Sequence, residues 1–361
     1  MLYNLLTPLT EDFQVLNLFR YLTFRTGGAM MTALFFSLII GQPFINWLKT
    51  IQVGASNVRA YTPENHLAKA GTPSMGGALI IMSICITTIL WADITNTYVW
   101  IILLITIGYG AIGFVDDWLK ISKKNSAGLP GKLKLFFQII IALAGILIFQ
   151  DTAGEGLETT LALPFAKNLL IDMGIFFIPF AILVIIGSSN AVNITDGLDG
   201  LAIVPVLIAA VCFGLISYIV GNAVYSNYLG VTYVTGTGEL AVVAGAIVGS
   251  AMGFLWFNAP PAMVFMGDTG SLSLGGALGT FAVITKHEIV LSIIGGLFVL
   301  ETVSVIVQVI SFKLTGKRLF AMAPLHHHYE KKGLAESTIV IRFWIVAVVL
   351  AIIGLSTLKL R

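Results

Sequence analysis

Residues 175–216 decide the fold: "IFFIPFAILVIIG" (175–187), "SSNAVNITDGLDG" (188–200), then "LAIVPVLIAAVCFGLI" (201–216). Each flank is an apolar run of helical length. The segment between them carries Asn190, Asn193, Thr195, Asp196 and Asp199, with no Lys or Arg. Apolar runs of this kind recur along the chain. Of its 361 residues, 57% are hydrophobic and only 11% charged, whereas a soluble domain carries about 25% charged residues. Runs long enough to cross roughly 30 Å of hydrocarbon make this an integral membrane protein. Their helical length and lack of strict alternation favour an all-α, polytopic bundle over a barrel.

Ten spans are expected, at about 26–48, 76–92, 97–115, 135–150, 168–188, 201–220, 239–257, 271–286, 289–312 and 338–358. The eighth is short and Gly-rich. Glu11 and Asp12 near the start, with no basic leader region, argue against a cleaved signal peptide. Cys85 and Cys212 lie within apolar spans and read as core residues.

Orientation follows from the basic residues. Loops 49–75, 116–134 and 313–342 hold 14 of the 20 Lys and Arg, and ten spans put all three on one side. That side is expected to be cytoplasmic, with both termini periplasmic. The same parity places 189–200 and 258–270 there too, although both are acidic and lack Lys and Arg. The chain reads as one membrane domain, 1–361, whose cytoplasmic loops 49–75, 116–134, 189–200, 258–270 and 313–337 are expected to form the active site.

Five constellations fall on those loops. "GFVDDWLK" pairs Asp116 with Asp117 at the end of the third span. Adjacent carboxylates repel by up to about 4 kcal/mol at an effective dielectric near 20, so either a cation offsets them or one holds a proton. The bland reading is a solvated helix end beside Lys120. In "NITDGLDG", Asp196 and Asp199 share a face if the segment is helical. Asn190 and Asn193 add amides suited to reading a ligand's edges, though a capped turn would use some of the same groups. In "FNAPPAMVFMGDTGSLSLGG", Asp268 opens the eighth span, where it either caps the helix or holds a metal bridging to phosphate. Phe265 either stacks on a planar base or packs, and Asn258 precedes Pro260-Pro261. In "PLHHHYEKKG", His326, His327 and His328 cannot all face one ion from a regular helix, so phosphate binding or proton handling is the better reading. In "KAGTPSMGG", Lys69, Thr72 and Ser74 look like a phosphate-contacting turn, but not an ATPase loop. Within the ninth span, Glu301 is either functional or engaged in bundle-interior hydrogen bonding.

A transporter would set charges at the midplane within repeats. Here the acids gather at one interface and no repeat is visible. Phosphoryl transfer between a water-soluble phosphorylated substrate and a lipid fits that one-sidedness better.

In these motifs, "GTPSMGG", "GFVDDWLK", "NAVNITDGLDGLA", "FNAPPAMVFMGDTGSLSLGG" and "PLHHHYEKKG", the chain resembles the polyprenyl-phosphate N-acetylhexosamine-1-phosphate transferases. The run PLHHHYE resembles their muramoyl-pentapeptide branch, and Ser74 stands where many relatives have Thr. The resemblance implies transfer of phospho-MurNAc-pentapeptide from its UDP carrier to undecaprenyl phosphate, giving lipid I and UMP. It implies Mg²⁺ at Asp268 and Asp117, with no nucleic-acid partner. It implies a ten-helix homodimer in the bacterial inner membrane. By the same resemblance Asp116 acts on the lipid phosphate. Lys120 and Lys132 meet phosphate or sugar. Asn190, Asn193, Asp196, Asp199 and Phe265 surround the uridine, with Lys69, Thr72, Ser74 and Asn258 also contacting substrate. The three histidines join the catalytic set.

Overall fold

The computed structural model describes residues 1–52, 71–123, 128–154, 156–164 and 169–359. Lys69 lies outside them. Among the described residues ten helices reach 15 residues or more: α1 Leu22–Ile51, α2 Gly77–Trp91, α3 Thr97–Ser122, α4 Gly131–Thr152, α5 Phe177–Thr195, α6 Ile203–Val220, α7 Leu240–Asn258, α8 Gly267–Thr285, α9 Gly296–Thr315 and α10 Glu336–Ser356. Each overlaps one of the ten expected spans. Eight are long and apolar enough to cross a membrane; α2 and α8 are the exceptions. Helix α2 is apolar but has 15 residues, roughly 22 Å of helix. Helix α8 has the length but is rich in Gly, Ser and Thr.

That composition suits its place. Every residue of α8 from Thr269 to Thr285 is buried. Helices α3 and α5 pack most extensively on it, with α6 and α2 completing the surround. Small side chains let helix axes approach closely where hydrocarbon supplies no hydrophobic drive. The polar ones are satisfied across or within helices: Ser273 Oγ donates to the Thr106 carbonyl at 2.8 Å. A second layer packs α1 along α7 and α7 along α6. There Ser250 Oγ donates to Ser83 Oγ (2.8 Å), which donates to the Ala33 carbonyl (3.0 Å). Outward faces carry large apolar residues such as Ile39, Leu183 and Ile352, all exposed, as contact with lipid requires.

Three boundaries differ from the sequence reading. Helix α3 runs on to Ser122, so Asp116 and Asp117 lie within it and not at its end. The expected start of the fifth span is instead a small hairpin, Thr160–Ala162 (β1) antiparallel to Leu170–Asp172 (β2), followed by a short 3₁₀ turn. The ninth span breaks at Gly295 into a short helix, Glu288–Ile294, and α9. Two adjacent glycines at 295 and 296 supply the weak point.

Described residues of the motif stretches meet at one end of the bundle: Asp117 with Thr269, Phe265 with Pro73, Asp199 with Ala262 and Glu301 with His326. At the other end Arg25 forms a bidentate ion pair with Glu239, both bonds 2.6 Å. Met1 and Lys359 also lie there, against the α2 C-terminus and the Tyr228 ring.

Candidate active site

The centre is a carboxylate cluster between α3 and the start of α8. Oxygens of Asp116, Asp117 and Asp268 all lie within 4.8 Å of one another. The α8 N-terminus leaves backbone N–H groups without intrahelical partners, and Asp117 reaches across from α3 to take them. Its Oδ1 accepts from Asp268 N (3.3 Å), and its Oδ2 from Thr269 N (3.0 Å) and Thr269 Oγ1 (2.8 Å). Asp117 thus caps a helix it does not belong to. Asp268, one residue into α8, points the other way. Its Oδ2 meets Lys134 Nζ at 2.6 Å and Lys120 Nζ at 3.3 Å, and its Oδ1 accepts from Asn193 Nδ2 at 3.0 Å. Lys134 also reaches Asp116 Oδ1 at 3.0 Å, which accepts Leu129 N at 2.7 Å, while Lys120 pairs with Asp116 Oδ2.

Burial alone would raise the Asp268 pKa, but the neighbouring ammonium groups of Lys120 and Lys134 outweigh it and hold the carboxyl well below the usual range. Asp196 is the opposite case. Burial first, then the negative charges of Asp268, Asp117 and Asp199, push its carboxyl up to about 8, against one favourable contact from the Gly267 N–H. Three carboxylates against two ammonium groups leave the cluster formally negative. An all-oxygen carboxylate set suits a hard divalent cation, so these residues fit Mg²⁺.

Ser74 stands beside the cluster. Its Oγ and Asp117 Oδ2 both crowd Gly267, where a Cβ would meet them at 2.9 and 2.5 Å. The stretch around it is held by Gln52, which accepts from Ser74 N (2.9 Å) and donates to Ser74 O (3.0 Å). Thr72 sits two residues earlier in the same stretch before α2. Phe265 is half-buried, its N–H donating to Pro73 O (2.8 Å) and its carbonyl accepting from Gly76 N (2.9 Å).

The other candidates are not members of the three-acid cluster. Helix α5 ends at Thr195, so Asp196 and Asp199 do not share a helical face, because the Gly-bearing turn diverges. Asp199 Oδ2 accepts from Ala262 N (3.0 Å), tying the turn to the α7–α8 loop. Asn258 Oδ1 accepts from Gly200 N (3.0 Å) and its Nδ2 donates to Val264 O (2.9 Å). Asn190 donates to Gln138 Oε1 (3.2 Å) and to Ile186 O (2.9 Å). The histidines part as the sequence predicts. His326 is buried against Glu301, His327 Nδ1 lies 2.6 Å from Glu330 Oε2, and His328 Nδ1 accepts from Ala321 N at 3.1 Å.

Two residues, Lys134 and Gln138, escaped the sequence reading. Lys132 is exposed at the α4 start, and Lys134 is the α4 lysine that enters the cluster. Lys134 and the buried Gln138 form an i, i+4 polar pair in an otherwise apolar run, which marked the inward face of α4. Gln138 links α4 to α5 through Asn190 and through Ser189 Oγ (3.3 Å).

Residues 99–286 match the family described as glycosyl transferase family 4. The chain is 59% identical to the phospho-N-acetylmuramoyl-pentapeptide-transferase of Maricaulis maris and 59% identical to that of Granulibacter bethesdensis, each over the full length of both proteins. It is 56% identical to the enzyme of the same name from Pelagibacter ubique, again over the full length of both. Full-length identity at this level, joined to a ten-helix bundle with an acid cluster inside the matched region, assigns the chain to the phospho-N-acetylmuramoyl-pentapeptide-transferase family of multi-pass membrane enzymes.

Proposed function

We propose that the chain transfers phospho-MurNAc-pentapeptide from UDP-MurNAc-pentapeptide to undecaprenyl phosphate, giving lipid I and UMP. The observation that carries this reading is the meeting of Asp116, Asp117 and Asp268 with Lys120 and Lys134 at one end of an apolar bundle. That end offers charge for a diphosphate beside a membrane that holds the lipid. The family name supports the donor. The runner-up is a GlcNAc-1-phosphate transferase of the same superfamily, which "PLHHHYE" disfavours.

In this reading a lipid-phosphate oxygen attacks the β-phosphorus of the donor. The new P–O bond forms as the bond to the bridging oxygen breaks, and UMP departs with that oxygen. Phosphoryl transfer asks the protein mainly for positioning and charge neutralisation. Asp117 and Asp268, with Asp116, would hold Mg²⁺, which when bound would neutralise diphosphate charge. Lys120 and Lys134 draw the phosphates in, Lys132 contacts substrate nearer solvent, and Lys69, Thr72 and Ser74 also contact substrate. Asp116 positions or deprotonates the lipid phosphate. Asn193 orients Asp268, while Asp196, Asn190 and Phe265 face the nucleoside. Asp199 and Asn258 serve by fixing the loops around it. Covalent attack by Asp268 is the competing route. A carboxylate held by two ammonium groups and an amide is a weak nucleophile, which favours direct transfer. We place the five loops on the cytoplasmic face of the inner membrane, in a homodimer.

The test is transfer of label from UDP-MurNAc-pentapeptide into a butanol-extractable lipid by purified protein. The expected result is label transfer that needs both undecaprenyl phosphate and Mg²⁺. Transfer from a UDP-GlcNAc donor instead would move the chain to the runner-up activity.

A further inference from the structure

Glu301 lies in α9 with no exposed surface and sits against His326. Its Oε1 accepts from the His326 backbone N–H at 3.2 Å, and its Oε2 lies 3.3 Å from His326 Nδ1. One carboxyl group therefore hydrogen-bonds the main chain of a single histidine and lies close against its ring, without a hydrogen bond between Oε2 and Nδ1. His326 is itself 1% exposed. Neither ring nitrogen has a hydrogen-bond partner, and the far one, Nε2, presses on Gly197, where a Cβ would meet it at 2.2 Å. Gly197 follows Asp196, whose carboxyl faces the Gly267 N–H beside Asp268. Contacts thus run without a gap from Glu301 through His326 and Gly197 to the turn that carries Asp196.

A group acting only as interior hydrogen-bonding glue would be expected to bridge two spans. Glu301 binds the main chain of one histidine and packs against its ring, and that histidine's other edge rests on a glycine of the candidate site. We infer that Glu301 is a positioning residue. It fixes the His326 ring, which buttresses the 196–200 turn and so sets Asp196 against the donor nucleotide. A carboxylate that holds an imidazole's orientation works this way in other enzymes, and losing such a supporting partner typically costs about 10- to 100-fold. The inference rests on the proposed assignment of Asp196 to the nucleotide side of the site.

The test is a mutant set assayed for label transfer: Glu301→Gln, His326→Ala, Gly197→Ala and their pairwise combinations, with both substrates titrated. Each single variant is expected to raise the KM for UDP-MurNAc-pentapeptide about tenfold or more, leaving the KM for undecaprenyl phosphate unchanged. Glu301→Gln is expected to add nothing to His326→Ala. Gly197→Ala is expected to be harmful alone but neutral in the His326→Ala background, because the ring that its Cβ would strike is gone. Thermal unfolding of the purified variants guards against misfolding. A structural role would lower the unfolding temperature with normal KM values in the folded fraction, and that result would overturn the inference. So would multiplicative losses in the double mutants, the signature of independent sites. Failure of the wild type to transfer label at all would count against the proposed function and not against this coupling.

Discussion

Asp268 takes charge from two lysines and an amide at once, and its neighbour Asp196 sits in the field of three other carboxylates. Replacing Asp268 by Asn removes a charge that both ammonium groups answer. We expect turnover to fall by about 10²-fold or more, with residual activity needing more Mg²⁺; near-wild-type rates at ordinary Mg²⁺ would refute the assignment. Asp196 gives a pH test in the metal-free protein. Its folded-state pKa is pushed up to about 8, well above the ordinary carboxylate value of about 3.9. The folded state therefore holds a proton that the unfolded chain releases. Its stability contribution is complete below about pH 4 and is lost as pH climbs towards 8. Asn mimics the protonated acid. The unfolding temperature of Asp196→Asn should rise relative to wild type between pH 5 and pH 9, and a flat difference would contradict the burial argument. The acids, amides and histidines were all legible as candidates, since polar side chains in an apolar chain stand out. Which of them converge was not. Lys132 and Lys134 differ only in the phase of α4, and that phase is set by where the helix begins.

Helix α8 owes its position to what it lacks. A Cβ on Gly113 of α3 would lie 2.2 Å from the Asp268 carbonyl oxygen and 2.5 Å from Thr269 N. Both are backbone atoms, so no rotamer relieves the clash. Gly113→Ala should cost about 1–3 kcal/mol, read as a drop of several degrees in the unfolding temperature together with lost activity. Asp117→Ala tests the cap that α3 provides. Loss of a capping side chain costs about 0.5–2 kcal/mol, and amide exchange at Asp268 and Thr269 should quicken ahead of the rest of α8. Unchanged exchange there would mean that the α8 start holds itself. The helices were legible because apolar length is a strong signal. The strands Thr160–Ala162 and Leu170–Asp172 and the break at Gly295 were not, because the second strand and the break lie within runs whose hydropathy gives no warning. The cap across helices was hidden for another reason: "VDDW" and "GDTG" are 151 residues apart, and only the packed bundle joins Asp117 to Asp268.

At the scale of the molecule, charge asymmetry and helix count lead to the expectation of five motif loops on one side, and contacts join described residues of four of those stretches. Asp199 meets Ala262, Phe265 meets Pro73, and Gly197 meets His326. Sidedness in the membrane is testable with Cys reporters at exposed positions, in a background lacking Cys85 and Cys212. Reporters at Ser122, Ala259 and Ala335 should react with impermeant thiol reagents only from the cytoplasm, and those at Asn227 and Thr235 only from outside. Mixed labelling within either set would break the span count. A transporter would expose one site alternately to both faces, whereas this enzyme would keep its acids on one. The most direct test of the whole account is UMP release by the purified protein at stoichiometric enzyme and donor, with and without undecaprenyl phosphate. Direct transfer at the Asp116–Asp117–Asp268 cluster predicts UMP only when the lipid phosphate is present; a full equivalent of UMP released without it would contradict that account.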